Sequence, residues 1–125
     1  MQIKDKYTHI FRFSQSDVNN FAKLTGDINP IHLNKEYAKK TLFKRRIMHG
    51  FLSASIFSKV FGTLFPKEGC IYLEQNLKFL HPMYCDTSYV AEFEIIDIKN
   101  TILKLNTNIK TDQITTIKGT AVIKI

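Results

Sequence analysis

Residues 51–62 read FLSASIFSKVFG, and this stretch decides the fold that the sequence predicts. Its apolar side chains occupy nearly every side of a helix, with small residues between them. Such a pattern is typical of a helix buried on several sides. His49-Gly50 leads into the stretch, while Gly62 and the later Pro66 predict its end. We therefore expect a central helix at about 50–61.

Downstream of Gly69 the hydrophobic pattern changes to the two-residue period of strands. Four strands are predicted, separated by turn residues. The residues expected to share one face of each strand are Ile71, Leu73, Gln75, Leu77 and Phe79; Ala91, Phe93 and Ile95; Leu103, Leu105, Thr107 and Ile109; and Ile117, Ala121, Ile123 and Ile125.

Upstream, the segment 6–13 predicts a first strand, and Ser14 with Asp17 forms a capping box that opens a helix ending at Gly26. Asn34 is expected to cap a short helix that turns Tyr37 and Ala38 inward. One strand, helices and then four strands in succession indicate an α+β domain with a mainly antiparallel sheet. Only the apolar helix can cover that sheet, so residues 1–125 are interpreted as one domain with the sheet wrapped around a central helix.

Composition restricts the class of protein. Hydrophobic residues make up 44% of the chain, enough for a sizeable core. No apolar run approaches the roughly 20 residues of a membrane span, and the N-terminus lacks the apolar core of a signal peptide. We expect a cytoplasmic protein with no membrane partner, in which Cys70 and Cys85 are two reduced thiols.

The net charge of +7 attracts anions such as nucleic acid, an acidic carrier protein or a phosphorylated cofactor. Its densest cluster is Lys39-Lys40 followed by Lys44-Arg45-Arg46. No aromatic residues alternate with this cluster as in nucleic-acid-binding motifs. A solvated surface is the alternative interpretation.

The stretch Gly26-Asp27-Ile28-Asn29-Pro30-Ile31-His32 places a carboxylate, a carboxamide and an imidazole in one polar loop. Asp27 and His32 could serve only as turn or core residues. A metal site lacks ligands, because only His49 is available to complete a set. An acid–base pair that orients one water and moves its proton makes fuller use of the two side chains.

His49-Gly50 supplies a second component of such a site. The first N–H groups of a helix have no acceptor within it, and the helix dipole adds partial positive charge there. These groups can hold a developing oxyanion. Together with the polar loop, they favour addition of water next to a polarised carbonyl.

The stretch 26–32 resembles the G-D-x-N-P-x-H signature of the (R)-specific enoyl-CoA hydratases, the MaoC-like dehydratases. The resemblance continues through 46–52 (RIMHGFL) and 71–82 (IYLEQNLKFLHP) and covers nearly the whole chain. It implies a hot-dog fold, usually assembled as a homodimer. No cofactor and no metal are implied, because the coenzyme A thioester is itself the substrate.

The resemblance also implies roles for individual residues. Asp27 and His32 would be the catalytic pair that holds the water, and Asn29 would support the geometry of their loop. The Gly50 N–H would bind the thioester oxygen, and Ser58 would lie near the water. Phe57 and Phe61 lie four residues apart on one helix face, so they could bound an acyl pocket or belong to the core.

These observations favour reversible hydration of trans-2-enoyl-CoA to (R)-3-hydroxyacyl-CoA, with an acyl-CoA or acyl-carrier-protein thioester as partner. One alternative is a 3-hydroxyacyl-[acyl-carrier-protein] dehydratase of fatty-acid synthesis. A thioesterase on the same fold fits less well, because the signature is that of the hydratases. A basic, non-enzymatic nucleic-acid-binding domain is the alternative from another class; the hydratase interpretation expects no nucleic-acid partner.

Overall fold

The computed structural model describes residues 1–125. In chain order the elements are β1 (Lys6–Phe11), α1 (Gln15–Thr25), α2 (Pro30–Leu33), α3 (Lys35–Lys39), α4 (Gly50–Thr63), β2 (Ile71–Phe79), β3 (Tyr89–Lys99), β4 (Ile102–Thr111) and β5 (Ile114–Lys124). The five strands form one antiparallel sheet in the order β1-β3-β4-β5-β2. This confirms the predicted α+β class with a hot-dog arrangement.

Helix α4 is the centre of the molecule, as its sequence predicts. Phe57, Val60 and Phe61 are each no more than 1% exposed and belong to the hydrophobic core. Phe57 and Phe61 both pack edge-on against Phe93 of β3, with ring centroids 5.6 and 5.3 Å apart. The helix continues one residue past Gly62, to Thr63, because this glycine near the helix end does not interrupt its hydrogen bonds.

The alternation predicted for β3, β4 and most of β5 is confirmed. The inward residues Ala91, Phe93 and Ile95 of β3 are buried, and so are the predicted inward residues of β4. Their two-residue period matches a sheet with one face against α4. Ile125 lies just beyond β5 and is partly buried.

Strand β2 differs from the prediction. Its register against β5 shifts between Tyr72 and Glu74, which marks a β-bulge. A bulge adds one residue to one strand and so exchanges the faces of the residues before and after it. As a result Ile71 and Leu73 are exposed, at 60% and 49%, whereas Leu77 packs against the core. The prediction of one face from Ile71 to Phe79 is therefore wrong.

The segments before α4 mostly follow their sequence signals. Both hydrogen bonds of the Ser14–Asp17 capping box form, and Gly26 ends α1 with φ of 80°, a left-handed conformation that suits glycine. Strand β1 ends at Phe11 rather than at residue 13. Asn34 caps α3 and Ala38 is buried, but Tyr37 is 49% exposed, so its predicted inward orientation is wrong.

None of the helices is both long and apolar enough to cross a membrane. Cys70 and Cys85 are free thiols, as expected.

Candidate active site

The polar stretch 26–32 does not remain a loop throughout. Pro30 occupies the first turn of α2, where its missing N–H costs nothing, and Asn29 is the N-cap. The Asn29 side-chain oxygen accepts the N–H of Ile31 at 3.1 Å. His32 therefore lies on a one-turn helix, and its 9% exposed ring is directed into the protein. The Asn29 carboxamide thus caps α2, while its role in a catalytic site stays a prediction.

The fold brings three side chains together. A carboxylate oxygen of Asp27 and one ring nitrogen each of His32 and His49 all lie within 4.8 Å of one another. Asp27 is exposed, whereas His49 is only 2% exposed. The sequence spacing predicts the pairing of Asp27 with His32. The addition of His49 depends on where α4 begins relative to that loop.

Hydrogen bonds assign the hydrogen-bearing nitrogen of each ring. Nδ1 of His32 lies 2.8 Å from the carbonyl oxygen of Ile47, and a carbonyl can only accept. The hydrogen is therefore on Nδ1, and Nε2 of neutral His32 carries a lone pair. In the same way, Nε2–H of His49 donates to the main-chain carbonyl of Asp27 at 2.9 Å.

Burial lowers the pKa of His32 below its ordinary value. The bond to the Ile47 carbonyl opposes this shift, the neighbouring His49 adds to it, and the Asp27 carboxylate opposes it again. Burial prevails because the imidazolium loses hydration that one carbonyl and one carboxylate do not replace. Neutral His32, the form that can accept a proton, therefore persists to a lower pH than it would for a histidine of ordinary pKa.

A mainly apolar cavity of about 380 Å³ lies beside His32, whereas Asp27 and His49 are not among the residues that line it. His32 and Gly50 lie on its wall together with Phe43, Met48 and Phe79. Gly50 is the first residue of α4; the N–H groups of Leu52 and Ser53 bond to the carbonyl of His49, whereas those of Gly50 and Phe51 have no main-chain acceptor. The Gly50 N–H thus lies at the helix start and has no acceptor within α4, as oxyanion binding requires.

The space at position 50 favours glycine. A Cβ built there would overlap the ring of Phe79. That ring closes over the start of α4 and lines the same cavity.

Other predicted site residues lie elsewhere. Ser58 is exposed and lies two turns beyond Gly50, about 12 Å along the helix. The fold of the chain does not bring it to Asp27 and His32, and its role near the water stays a prediction. Phe57 and Phe61 are core residues and are not among the residues that line the cavity beside His32, so their place in an acyl pocket stays a prediction. Sequence spacing placed them on one face, but only packing shows that this face meets β3.

The donor atoms of the same cluster bear on metal binding. Nδ1 of His32 and Nε2 of His49 are occupied by carbonyl groups, and the remaining Nδ1 of His49 is buried without a partner. The accessible donors are then the Asp27 carboxylate and Nε2 of His32. Two ligands are fewer than a zinc site needs, so this donor set fits an acid–base pair better than an ion.

An antiparallel sheet wrapped around a helix defines a hot-dog domain, and this one carries a carboxylate–imidazole pair beside the start of that helix. The chain belongs to the MaoC-like domain family, whose pattern matches residues 2–117.

Comparison with known relatives agrees with this membership. The (R)-specific enoyl-CoA hydratase of Aeromonas caviae is 38% identical over 117 residues, covering 91% of this chain and 87% of that protein. The (R)-specific enoyl-CoA hydratase of Rhodospirillum rubrum is 51% identical over 70 residues, which are 56% of this chain and 49% of that protein. The match therefore spans about half the length of the second relative.

The fold matches a solved structure over its full length. The (R)-hydratase from A. caviae involved in PHA biosynthesis superposes with a TM-score of 0.95 at 36% identity, covering 100% of this chain and 97% of that one. The relatives named above are hydro-lyases, enzymes that add water to a double bond or remove it.

Proposed function

We propose that this protein hydrates trans-2-enoyl-CoA to (R)-3-hydroxyacyl-CoA, reversibly. The observation that carries the proposal is the meeting of the Asp27 carboxylate and His32 within 4.8 Å, beside a cavity that also exposes the start of α4. The names and identities of the hydratase relatives support the same activity.

The geometry supports the following reaction. A water held between Asp27 and Nε2 of His32 adds its oxygen to C3 of the enoyl thioester while one of these groups takes a proton. The C2=C3 electron pair moves toward the thioester carbonyl, whose growing negative charge meets the Gly50 N–H and the dipole of α4. A proton then returns to C2, so that water has been added across the double bond and no other reactant is consumed.

The test is turnover of crotonyl-CoA, followed as the loss of absorbance from the conjugated thioester. A chiral analysis of the product is expected to give the (R)-3-hydroxy form. Absence of turnover with coenzyme A thioesters from four to twelve carbons would contradict the proposal.

The carrier of the acyl chain needs a separate experiment. A tomato relative named 3-hydroxyacyl-[acyl-carrier-protein] dehydratase is 37% identical over 114 residues. The assay is therefore repeated with the same acyl groups on an acyl carrier protein. Turnover restricted to the carrier-bound substrate would assign the chain to the dehydratase alternative.

The proposed assembly is a homodimer joined along β2. This strand ends the sheet, and its exposed side chains include Ile71, Leu73 and Phe79. An open edge with apolar side chains is normally paired or covered. Light scattering is expected to give twice the chain mass, whereas a stable, active monomer would exclude this assembly.

A further inference from the structure

His49 joins the two halves of the site. His49 is the N-cap of α4, directly before Gly50. Its side chain contacts the segment 26–32, which is called the catalytic loop below. The ring stacks on that of His32, with centroids 3.9 Å apart and planes at 30°. Phe21 packs against the same imidazole at 4.9 Å. The ring is thus enclosed between the catalytic histidine and α1.

Capping of the helix does not account for this side chain. His49 makes no side-chain hydrogen bond to the N–H groups of α4. Its Nδ1 is buried and has no partner. The only polar contact of the ring is the Nε2–H bond of 2.9 Å to the Asp27 carbonyl. All of its hydrogen bonding is therefore directed at the catalytic loop.

His49 also does not line the cavity that holds the exposed face of His32. A side chain in this position makes no contact with a substrate in the cavity and acts only through the residues that it touches. Its Nε2–H bond restrains the main chain at Asp27, and its stacked ring restrains the ring plane of His32. Its own main chain, directly before Gly50, restrains the position of the Gly50 N–H.

We propose that His49 is a positioning residue for the hydration proposed above, on which this inference rests. It holds the Asp27 carboxylate, Nε2 of His32 and the Gly50 N–H in register with one another. A buried hydrogen bond that joins two chain segments, here residues 27 and 49, restrains their separation. Displacement of catalytic groups by about 1 Å lowers rates about 100-fold.

The experiment compares two variants of matched length. His49→Gln keeps an N–H donor at the position of Nε2, whereas His49→Met has a similar shape and no donor. Kinetics with crotonyl-CoA are expected to show kcat within about 3-fold of wild type for His49→Gln and about 10- to 100-fold lower for His49→Met. KM is expected to change less than about 3-fold in both, because neither substitution alters the wall of the cavity.

The pKa of His32 reports whether the His49 ring acts on the neighbouring histidine. The groups that act on its charge are His49 and Asp27, together with the Ile47 carbonyl. Removing the His49 imidazole removes one influence that lowers the pKa, so NMR titration of His32 is expected to show a higher pKa in both variants. This measurement does not require activity.

The outcomes are separable. Absence of turnover by the wild-type protein would contradict the proposed function. If the wild-type protein is active and His49→Met has the same kcat, only the proposed role of His49 is overturned. Equal losses in both variants would also overturn it, since the donor would then not matter. If His49→Met fails to fold, His49→Asn replaces it, because its amide is one bond too short to reach the Asp27 carbonyl. Unfolding of both would assign His49 to stability alone.

Discussion

His32 and His49 lie ring against ring, yet they bond to carbonyl groups through opposite nitrogens. This difference separates their chemistry. His32 keeps Nε2 free on the cavity side of the protein, while His49 uses its Nε2–H for the loop that carries Asp27. At the scale of the residue, hydrogen bonding to the main chain thus decides which imidazole can exchange a proton with water.

The first prediction concerns the catalytic pair. Asp27→Asn and His32→Gln are each expected to lower kcat by about 10²–10⁴, the usual contribution of a general acid or base. The double variant should lose much less than the product of the two effects, because both groups act on one water. Steady-state kinetics with crotonyl-CoA measure these losses. Asp112→Asn, in the exposed turn between β4 and β5, is the control and should match wild type. Near-normal activity of Asp27→Asn or His32→Gln would exclude the substituted residue from the proposed catalytic pair.

The second prediction concerns pH. Hydration needs neutral His32, and burial lowers the pKa of this histidine. Activity should therefore be complete at neutral pH and fall as the pH drops through a value below the ordinary 6.5. The acid limb of kcat/KM against pH reports this pKa of the free enzyme. His9→Gln, which alters a histidine outside the cluster, should leave the limb unchanged. A limb centred above 6.5 would contradict the assignment to a buried His32.

At the scale of the element, the start of α4 contributes the Gly50 N–H, which is the proposed oxyanion donor, and the close contact with Phe79. The rest of the helix contributes the core. The two glycines of this helix differ in the space around them. A Cβ on Gly50 would overlap an aromatic ring, whereas a Cβ on Gly62 would meet no atom within 4 Å.

The third prediction uses this contrast. Gly50→Ala should lower kcat by about 10- to 100-fold, because the displaced Phe79 ring disturbs the donor and the cavity wall. Gly62→Ala is the matched control and should leave kcat unchanged while raising the free energy of unfolding by about 0.5–1 kcal/mol. Kinetics and denaturant unfolding of both variants test this. Equal kcat in the two would show that the contact with Phe79 has no role in the reaction.

At the scale of the molecule, several side chains of the basic cluster at 39–46 have partners within the fold. Lys39 forms an ion pair with Glu36, and the Arg45 guanidinium lies 3.4 Å from the centre of the Tyr84 ring. Arg46 donates to the carbonyl of Leu33. Lys40 and Lys44 are exposed and form no ion pair, so they are the members of the cluster free to meet a phosphate.

The fourth prediction is that Lys40→Glu with Lys44→Glu raises KM for an enoyl-CoA and weakens its dependence on salt, with kcat unchanged. Both lysines lie between the catalytic loop and α4, and their charge should favour the phosphates of coenzyme A. Lys104→Glu with Lys118→Glu makes the same change of charge on the outer face of the sheet and is the control. If both pairs leave KM unaltered, the cluster is only a solvated surface.

The sequence by itself determined the elements whose signals are local. The capping box at Ser14, the period of β3 and β4 and the apolar character of 51–62 depend on neighbours within one or two turns, and all appear in the structure. The spacing of Asp27 and His32 likewise predicted their proximity, because the four residues between them include one proline and leave few backbone paths.

Tertiary structure decided what depends on contacts between distant segments. The bulge in β2 reverses the faces of Ile71 and Leu73, and no local pattern marks it, since it arises from the register against β5. Phe57 and Phe61 face β3 because the sheet covers that side of α4, which spacing alone does not reveal. The contact of His49 with Asp27 joins residues 22 positions apart, so only the packing of α4 against the catalytic loop could create it.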